Sequence, residues 1–263
     1  MAQLLIDAGN TRLKFARLTG KRLGRTQAVD WSARSLARAT RRVLRGRFER
    51  VLVCSVAGAA LERGLRSAAR RSGNPAPQYI RSTRRSAGVR NGYVQTWRLG
   101  ADRWVAMLGA RALYPGRAVC IVDVGTALTI DLLDARGQHR GGLLVPGPTL
   151  MVDALLSNTA GIRRRAGQLS TRKSSARPTG GSVSGTLFGR STRAGLLAGS
   201  AVACAALIER ALREARVELR GRPRLLLAGG GVRQIAPLLR VPYAKVDHLV
   251  LRGLALLASG DSR

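Results

Sequence analysis

Two stretches of this chain carry the same pattern, one at the N-terminus and one near the middle. Gln3-Leu4-Leu5-Ile6 runs into Asp7-Ala8-Gly9, and Val119-Cys120-Ile121-Val122 runs into Asp123-Val124-Gly125. In each copy a short apolar run meets Asp-x-Gly. A polar turn follows (Asn10-Thr11, then Thr126), and a second strand-like segment begins. Short apolar runs bounded by turn residues predict buried strands. A pattern recurring in one chain predicts a duplicated supersecondary unit. Two more strand-like segments follow each pair, so the chain is expected to form two α/β halves, each led by three strands.

The remaining punctuation fills in both halves. Arg12 to Leu18 alternates as a strand, and Val51 to Val56 reads as another. Helical spacing covers Ser32 to Arg45, Leu61 to Arg71, and Asp102 to Ala112 with Trp104, Val105, Leu108 and Leu113 inward. Residues 81 to 100 read as loop. In the second half Leu128 to Leu133, Gly141 to Val145 and Arg224 to Leu227 are strand-like. Helices are expected over Thr149 to Ser157, Thr192 to Val217 and Val232 to Arg240, with a last one capped by Asp247 and ending near Ala258. Arg163 to Arg190 is rich in Gly, Ser and Arg and reads as a mobile loop. The low-charge run Ala194 to Ile208 is too short to span a bilayer and reads as a buried helix. Gly195 and Gly199 on it would let another helix approach, within one subunit or across a dimer interface.

Charge bears on partners. There are 46 basic and 14 acidic residues, a formal net charge of +32, and only Lys14, Lys21, Lys173 and Lys245 are lysines. The arginines are spread along the chain, as ordinary surface positions filled by Arg would be. Nonspecific nucleic-acid binding at low salt is expected in any case. Cys54, Cys120 and Cys204 sit apart in apolar runs and read as buried thiols of a reducing compartment. With Asp7 interrupting the first apolar run, no secretory signal is read and a soluble, cytoplasmic protein without a membrane partner is expected. A P-loop is missing, and His139 and His248 have no metal spacing and read as structural or surface residues.

The repeated turn has a chemical use. Its Gly lets backbone approach a ligand, the next Asn or Thr offers donors to phosphate oxygens, and the Asp can hold a cation or its waters. A single Asp-x-Gly is a common hairpin turn. Two at equivalent positions, in a chain with so few acids, point to phosphate chemistry. Lys14, just after the first turn, is placed either to meet a phosphate or to sit solvated on its strand. Asp102 alone would read as a helix N-cap, and so would Thr192.

Taken together, these segments resemble the type III pantothenate kinases, of the acetate and sugar kinase/Hsp70/actin superfamily. The matching motifs are Asp7-Ala8-Gly9-Asn10-Thr11-Arg12-Leu13-Lys14, Leu99-Gly100-Ala101-Asp102-Arg103, Asp123-Val124-Gly125-Thr126, Gly141 to Gly147, Thr159-Ala160 and Leu249 to Leu254. The resemblance implies an α/β, duplicated actin-like (ribonuclease H-like) fold of two βββαβαβα halves, with the active site in the cleft between them. Residues 1–116 would carry the first phosphate turn and the acceptor motif. Residues 117–263 would carry the second turn, the adenosine side and a dimer helix.

It further implies that ATP phosphorylates pantothenate, the first step toward coenzyme A. Asp7, Ala8, Gly9, Asn10, Thr11, Arg12, Leu13, Lys14 and Thr126 would bind ATP, and Asp102 would be the general base. Tyr93, Gly100, Ala101, Asp102 and Arg103 would contact pantothenate, joined by Thr192 from the other subunit of a homodimer. Asp123 would hold a monovalent cation, K⁺ or NH₄⁺, with Mg²⁺ accompanying ATP. Where the family usually has Thr-Gly-Gly-Asp on the adenosine side, this chain has Ala228-Gly229-Gly230-Gly231. Two other functions compete: a nucleic-acid-associated regulatory protein on the same fold, and a superfamily kinase or phosphatase with another small substrate.

Overall fold

The computed structural model describes residues 2–167 and 187–260. Its elements are β1 (Gln3–Ala8), β2 (Arg12–Thr19), β3 (Arg22–Leu23), β4 (Gln27–Asp30), α1 (Leu36–Val43), β5 (Arg50–Ser55), α2 (Gly58–Arg71), β6 (Gln78–Ile80), β7 (Arg85–Ser86), β8 (Val89–Arg90) and α3 (Ala101–Leu113). They continue with β9 (Val119–Val124), β10 (Ala127–Leu133), β11 (His139–Pro146), α4 (Pro148–Asn158), α5 (Ala160–Ala166), α6 (Thr192–Glu218), β12 (Arg224–Ala228), α7 (Val232–Ile235), β13 (Ala244–Lys245) and α8 (Leu249–Ala258).

The repeat seen in the sequence is a repeat of topology. One sheet runs β3-β2-β1-β5-β6, with β4 also on β2, and another runs β11-β10-β9-β12-β13. Leaving β4 aside, both read third, second, first, fourth, fifth in chain order. The strand that ends in Asp-x-Gly is the middle strand each time. By compactness the chain divides into Met1–Val119 with Asp131–Gly141 and Val246–Arg263, and Cys120–Ile130 with Gly142–Lys245. The halves expected from the sequence were contiguous; in this division the last helix groups with the first unit.

In the first unit β1 pairs antiparallel with β2 and parallel with β5, putting Asp7 beside Lys14 on one side and Cys54 on the other. Leu4, Ile6 and Ala8 belong to a buried cluster with Val43 of α1 and Leu61 and Leu65 of α2. The side-chain period of two turns Leu5 and Asp7 to the opposite face, where α8 packs on β1 and β5 and α3 packs on β5. Helices α3 and α8 cross closely. A Cβ on Gly253 would lie 2.0 Å from the Val105 carbonyl oxygen, and one on Gly109 2.6 Å from that of Leu249. That crossing fixes α3, and with it Asp102, against the face that carries Asp7.

Several expectations need correction. Leu113 is 39% exposed, because it ends α3 beyond the packed face. Residues 81 to 100 hold the β7–β8 pair and a 3₁₀ turn over Thr96–Arg98. Arg163 to Ala166 are helical, the end of α5; the rest of the expected loop lies largely outside the described residues. The helix from Val232 stops at Ile235, and a 3₁₀ turn containing Pro237 follows, since proline cannot donate onward. His248, at φ 58°, caps α8 in place of Asp247. Ser191 caps α6 by accepting from the Ala194 N–H, which makes Thr192 the first helical residue.

Helix α6 is also not buried all round. Ser200, Cys204, Ile208, Leu212 and Ala215 make one buried stripe along it, and α4, α5 and α7 pack against the helix. Extended to Glu218, it is long and apolar enough to cross a membrane by length and composition, unlike the shorter run first read.

Candidate active site

The first turn is built to leave its backbone accessible. Gly9 N–H donates to the Arg12 carbonyl at 3.1 Å, closing the loop from β1 to β2, and Asn10, Thr11 and Arg12 are exposed. The Trp31 indole N–H donates to the Gly9 carbonyl at 2.9 Å and tethers the turn. Lys14 Nζ lies 3.7 Å from an Asp7 carboxylate oxygen. Lys14 therefore leans on Asp7, a geometry that keeps its charge beside whatever the turn binds.

Asp102 stands at the second position of α3. Gly100 caps the helix without a side chain, and the Asp102 carboxylate folds back so far that a Cβ on Gly100 would lie 2.7 Å from its Oδ1. That oxygen accepts the Arg103 N–H at 2.8 Å. Asp102 is thus not the N-cap, but its charge sits in the helix's first turn, where exposed N–H groups favour an anion. Burial nevertheless pushes the carboxyl above the usual aspartate range, against the Arg103 hydrogen bond and charge. Asp7 and Asp102 share one neighbourhood. The buried Cys54 thiol is raised first by burial and then by both carboxylates, Asp7 and Asp102.

Beside Asp102 lies a buried polar cluster. Arg103 binds Asp131 through two contacts, Nε to Oδ2 at 2.9 Å and Nη2 to Oδ1 at 2.6 Å, and its Nη1 donates to the Tyr93 hydroxyl at 2.8 Å. His139 Nε2 is 3.0 Å from Asp131 Oδ1, and its ring stacks on Tyr93 at 5.8 Å. Burial alone would raise the Asp131 carboxyl. The hydrogen bonds of His139 and Arg103, with the guanidinium charge, outweigh it and hold the group below its ordinary value. Asp131 and His139 were not singled out as site residues from the sequence. One signal was available: an acid within the apolar strand segment Leu128 to Leu133, in a chain with few acids.

The second turn sits in the other unit. Gly125 N–H donates to the Ala127 carbonyl at 3.0 Å, one residue tighter than the first turn. Gly147 N–H donates to the Thr126 carbonyl at 2.8 Å, and Pro148 then opens α4, so a helix start lies on this turn. The Gly-rich segment packs on it too. Gly231 N–H donates to the Val124 carbonyl at 2.9 Å, and a Cβ on Gly229, at φ +96°, would come 2.4 Å from Asp123 Oδ1. A Cβ at 231 would lie 2.6 Å from Val124 Cγ1, so the Asp of the family pattern has no room here without a shift. Thr126 is exposed and Asp123 half-buried. Among the described residues no three His, Cys, Asp or Glu side chains gather as a metal site.

Thus the first unit brings together Asp7, Lys14, Gly100, Asp102, Arg103 and Tyr93, while Asp123, Thr126 and Thr192 belong to the second. Residues 3–214 match the family profile of the type III pantothenate kinases. The type III pantothenate kinase of Aromatoleum aromaticum is 39% identical over 263 residues, covering 98% of both chains. That of Nitrosococcus oceani is 34% identical over 266 residues, covering 99% of this chain and 95% of the relative. Among solved structures, the PilM-PilN type IV pilus biogenesis complex superposes with a TM-score of 0.56 at 14% identity, covering 98% of this chain and 99% of the other. The activator of the 2-hydroxyisocaproyl-CoA dehydratase from Clostridium difficile, with bound ADPNP, gives 0.52 at 12% identity, with 99% and 95% covered. These two show the fold, the duplicated actin-like one expected from the motifs.

Proposed function

This chain belongs to the type III pantothenate kinase family, and from that premise we propose how its residues divide the work. The protein is an ATP-dependent kinase that phosphorylates pantothenate in coenzyme A biosynthesis. The observation that carries the assignment of roles is a raised carboxyl, Asp102, at the start of α3 on the sheet face that also holds Asp7. A base raised toward the working pH accepts a proton more effectively than an ordinary aspartate. Asp102 takes the proton of the primary hydroxyl as its oxygen bonds to the γ-phosphorus and the bond to ADP breaks. Such a transfer needs mainly positioning and charge neutralisation.

Asp7 through Lys14 cradle phosphates with turn N–H groups and the Lys14 charge, and Thr126 contacts ATP. Gly229 to Gly231 lie on the adenosine side. Mg²⁺ is held by one or two carboxylates and keeps most of its waters, and Asp7 and Asp123 would supply those carboxylates. A bound Mg²⁺ would supply neutralisation of phosphate charge, and a monovalent cation, K⁺ or NH₄⁺, is assigned to Asp123. Residues 1–116 carry the acceptor side and 117–263 the adenosine side. We place the enzyme in the cytoplasm. A panel of hydroxylated acceptors, read by coupled ADP detection, tests the substrate. Pantothenate should give the fastest release, and a faster acceptor would replace it.

A homodimer is supported by an exposed apolar face of the second unit. Leu197 on α6 is 45% exposed, Leu150 and Leu155 of the adjoining α4 are also exposed, and nothing lies within 4 Å of a Cβ built at Gly195 or Gly199. Thr192 would reach the partner's pantothenate from this helix. Leu155→Glu with Leu197→Glu is expected to give a monomer in sedimentation equilibrium and to raise the pantothenate KM. A wild-type monomer would contradict the assignment.

Nonspecific nucleic-acid binding has a favoured place. Two adjoining concavities of about 870 and 690 Å³ share Arg42, Arg45 and Gly46. Among the described residues Arg38, Arg41, Arg42 and Arg45 on their rims have neither an ion-pair nor a side-chain hydrogen-bond partner. Changing these four to Gln should lessen the slope of log K against log salt by up to about 3.6 for duplex DNA. The charge-matched change of Arg213, Arg216, Arg220 and Arg222 should alter it less. Equal changes would mean that the charge acts diffusely.

A further inference from the structure

Resting on the pantothenate kinase assignment, we propose that Asp131 and His139 are positioning residues for the acceptor: through Arg103 they aim the Tyr93 hydroxyl so that it donates to the carboxylate of the acceptor. Hydrogen-bond roles along the chain of contacts lead there. The Asp131 carboxylate binds Arg103 at both oxygens, so it is ionised and can only accept. His139 must therefore donate from Nε2, on the other side of the ring from Nδ1. That Nδ1 is buried and has no partner among the described residues. A buried polar atom left unpaired costs free energy and calls for a reason. Here the reason is the Nε2–H, which fixes the Asp131 carboxylate plane.

Arg103 is held in turn. Its guanidinium is only 6% exposed, with three of its five N–H groups committed to Asp131 and Tyr93. Tyr93 Oη receives one of those N–H groups and therefore acts as acceptor toward Arg103. Its own O–H proton must go elsewhere, and among the described residues it meets no acceptor. The Tyr93 ring is meanwhile fixed by His139 stacked against it and by the Arg103 guanidinium, whose carbon lies 5.5 Å from the ring centroid. Its N–H is tied to Asn91 Oδ1 at 2.9 Å. The outcome is a half-buried O–H donor, fixed in direction, three hydrogen-bonded links removed from His139. An anionic oxygen is the strongest acceptor for it, and the acceptor substrate carries one in its carboxylate.

Steady-state kinetics with both substrates varied tests this on the full-length protein. Tyr93→Phe should raise the pantothenate KM about tenfold or more, the value of one hydrogen bond to a charged group, with kcat and the ATP KM nearly unchanged. His139→Phe keeps an aromatic ring against Tyr93 but loses the donor, and should raise the same KM severalfold. His139→Gln, whose amide N–H reaches the Nε2 position, should restore most of it. In Tyr93→Phe/His139→Phe the second change should add nothing, since the hydroxyl it aims is gone. If His139→Phe does not fold, His139→Leu replaces it in the same cycle. Additive effects, or equal rises in the KM for ATP and pantothenate, would assign the cluster a purely structural role and overturn the proposal. An inactive wild-type protein would count against the kinase assignment instead.

Discussion

Asp102→Asn is expected to lower kcat about 10²–10⁴-fold, the span over which a general base contributes, while the protein stays folded. Asparagine keeps an oxygen to accept the Arg103 N–H, so the α3 start and Gly100 need not move. What it loses is the ability to take a proton. The pH dependence follows from the sign of the shift. The base works ionised, so kcat/KM should climb with pH through the Asp102 pKa, which burial sets above an ordinary aspartate. The residual rate of Asp102→Asn should lack that limb. Stability should move the other way. A carboxyl whose pKa is raised by folding removes stability as pH rises from its unfolded toward its folded value. At neutral pH Asp102→Asn should therefore melt no lower than wild type. A variant that kept full activity would remove Asp102 as the base, and one that melted far lower would mean a structural role.

The largest stability change is expected at Asp131. Asp131→Ala strands the Arg103 guanidinium without its anion in a site where both side chains are nearly inaccessible, 6% and 3% exposed. Breaking a buried pair from one side costs about 3–5 kcal/mol. For a chain of this size that is on the order of 10 °C in melting temperature. His139 loses its acceptor in the same change, so its Nε2–H is left buried as well. Replacing both partners, as Arg103→Met with Asp131→Leu, should recover much of the loss, because two uncharged side chains of similar size leave no buried charge. Differential scanning calorimetry on wild type, single and double variants measures this. A single variant as stable as wild type would mean that water reaches Arg103 and screens it.

How far the sequence could be read depends on which forces were local. β1, β5 and β9 are apolar runs between turn residues, and their burial follows from composition alone. The Asp-x-Gly copies announced a duplication that the two equal strand orders bear out. Helix starts were harder. Ser191 and Thr192 are both good caps, as are Asp102 and Asp247, and only backbone geometry shows that Ser191 caps α6, Gly100 opens α3 and His248 opens α8. Long-range packing was harder still. Nothing near Gly109 or Gly253 tells that they face each other's helices, or that α8 lies on the first sheet. The site was legible where residues sit next to each other in sequence, as in Asp7 to Lys14 and Gly100 to Arg103. It was not legible at Asp131, which reaches Arg103 from 28 residues further along the chain, nor at His139, which bonds Asp131. The exposure of half of α6 was missed for a similar reason: an apolar helix reads as buried until its partners are counted.

The most direct measurement is the product itself. Pure protein with ATP, Mg²⁺, K⁺ and pantothenate, followed by ³¹P NMR, should show a phosphate ester on the primary hydroxyl of pantothenate appearing one for one with ADP, and should show almost none with Asp102→Asn. ADP formed without that ester, or the ester formed equally fast by the Asn variant, would contradict the chemistry assigned to Asp102.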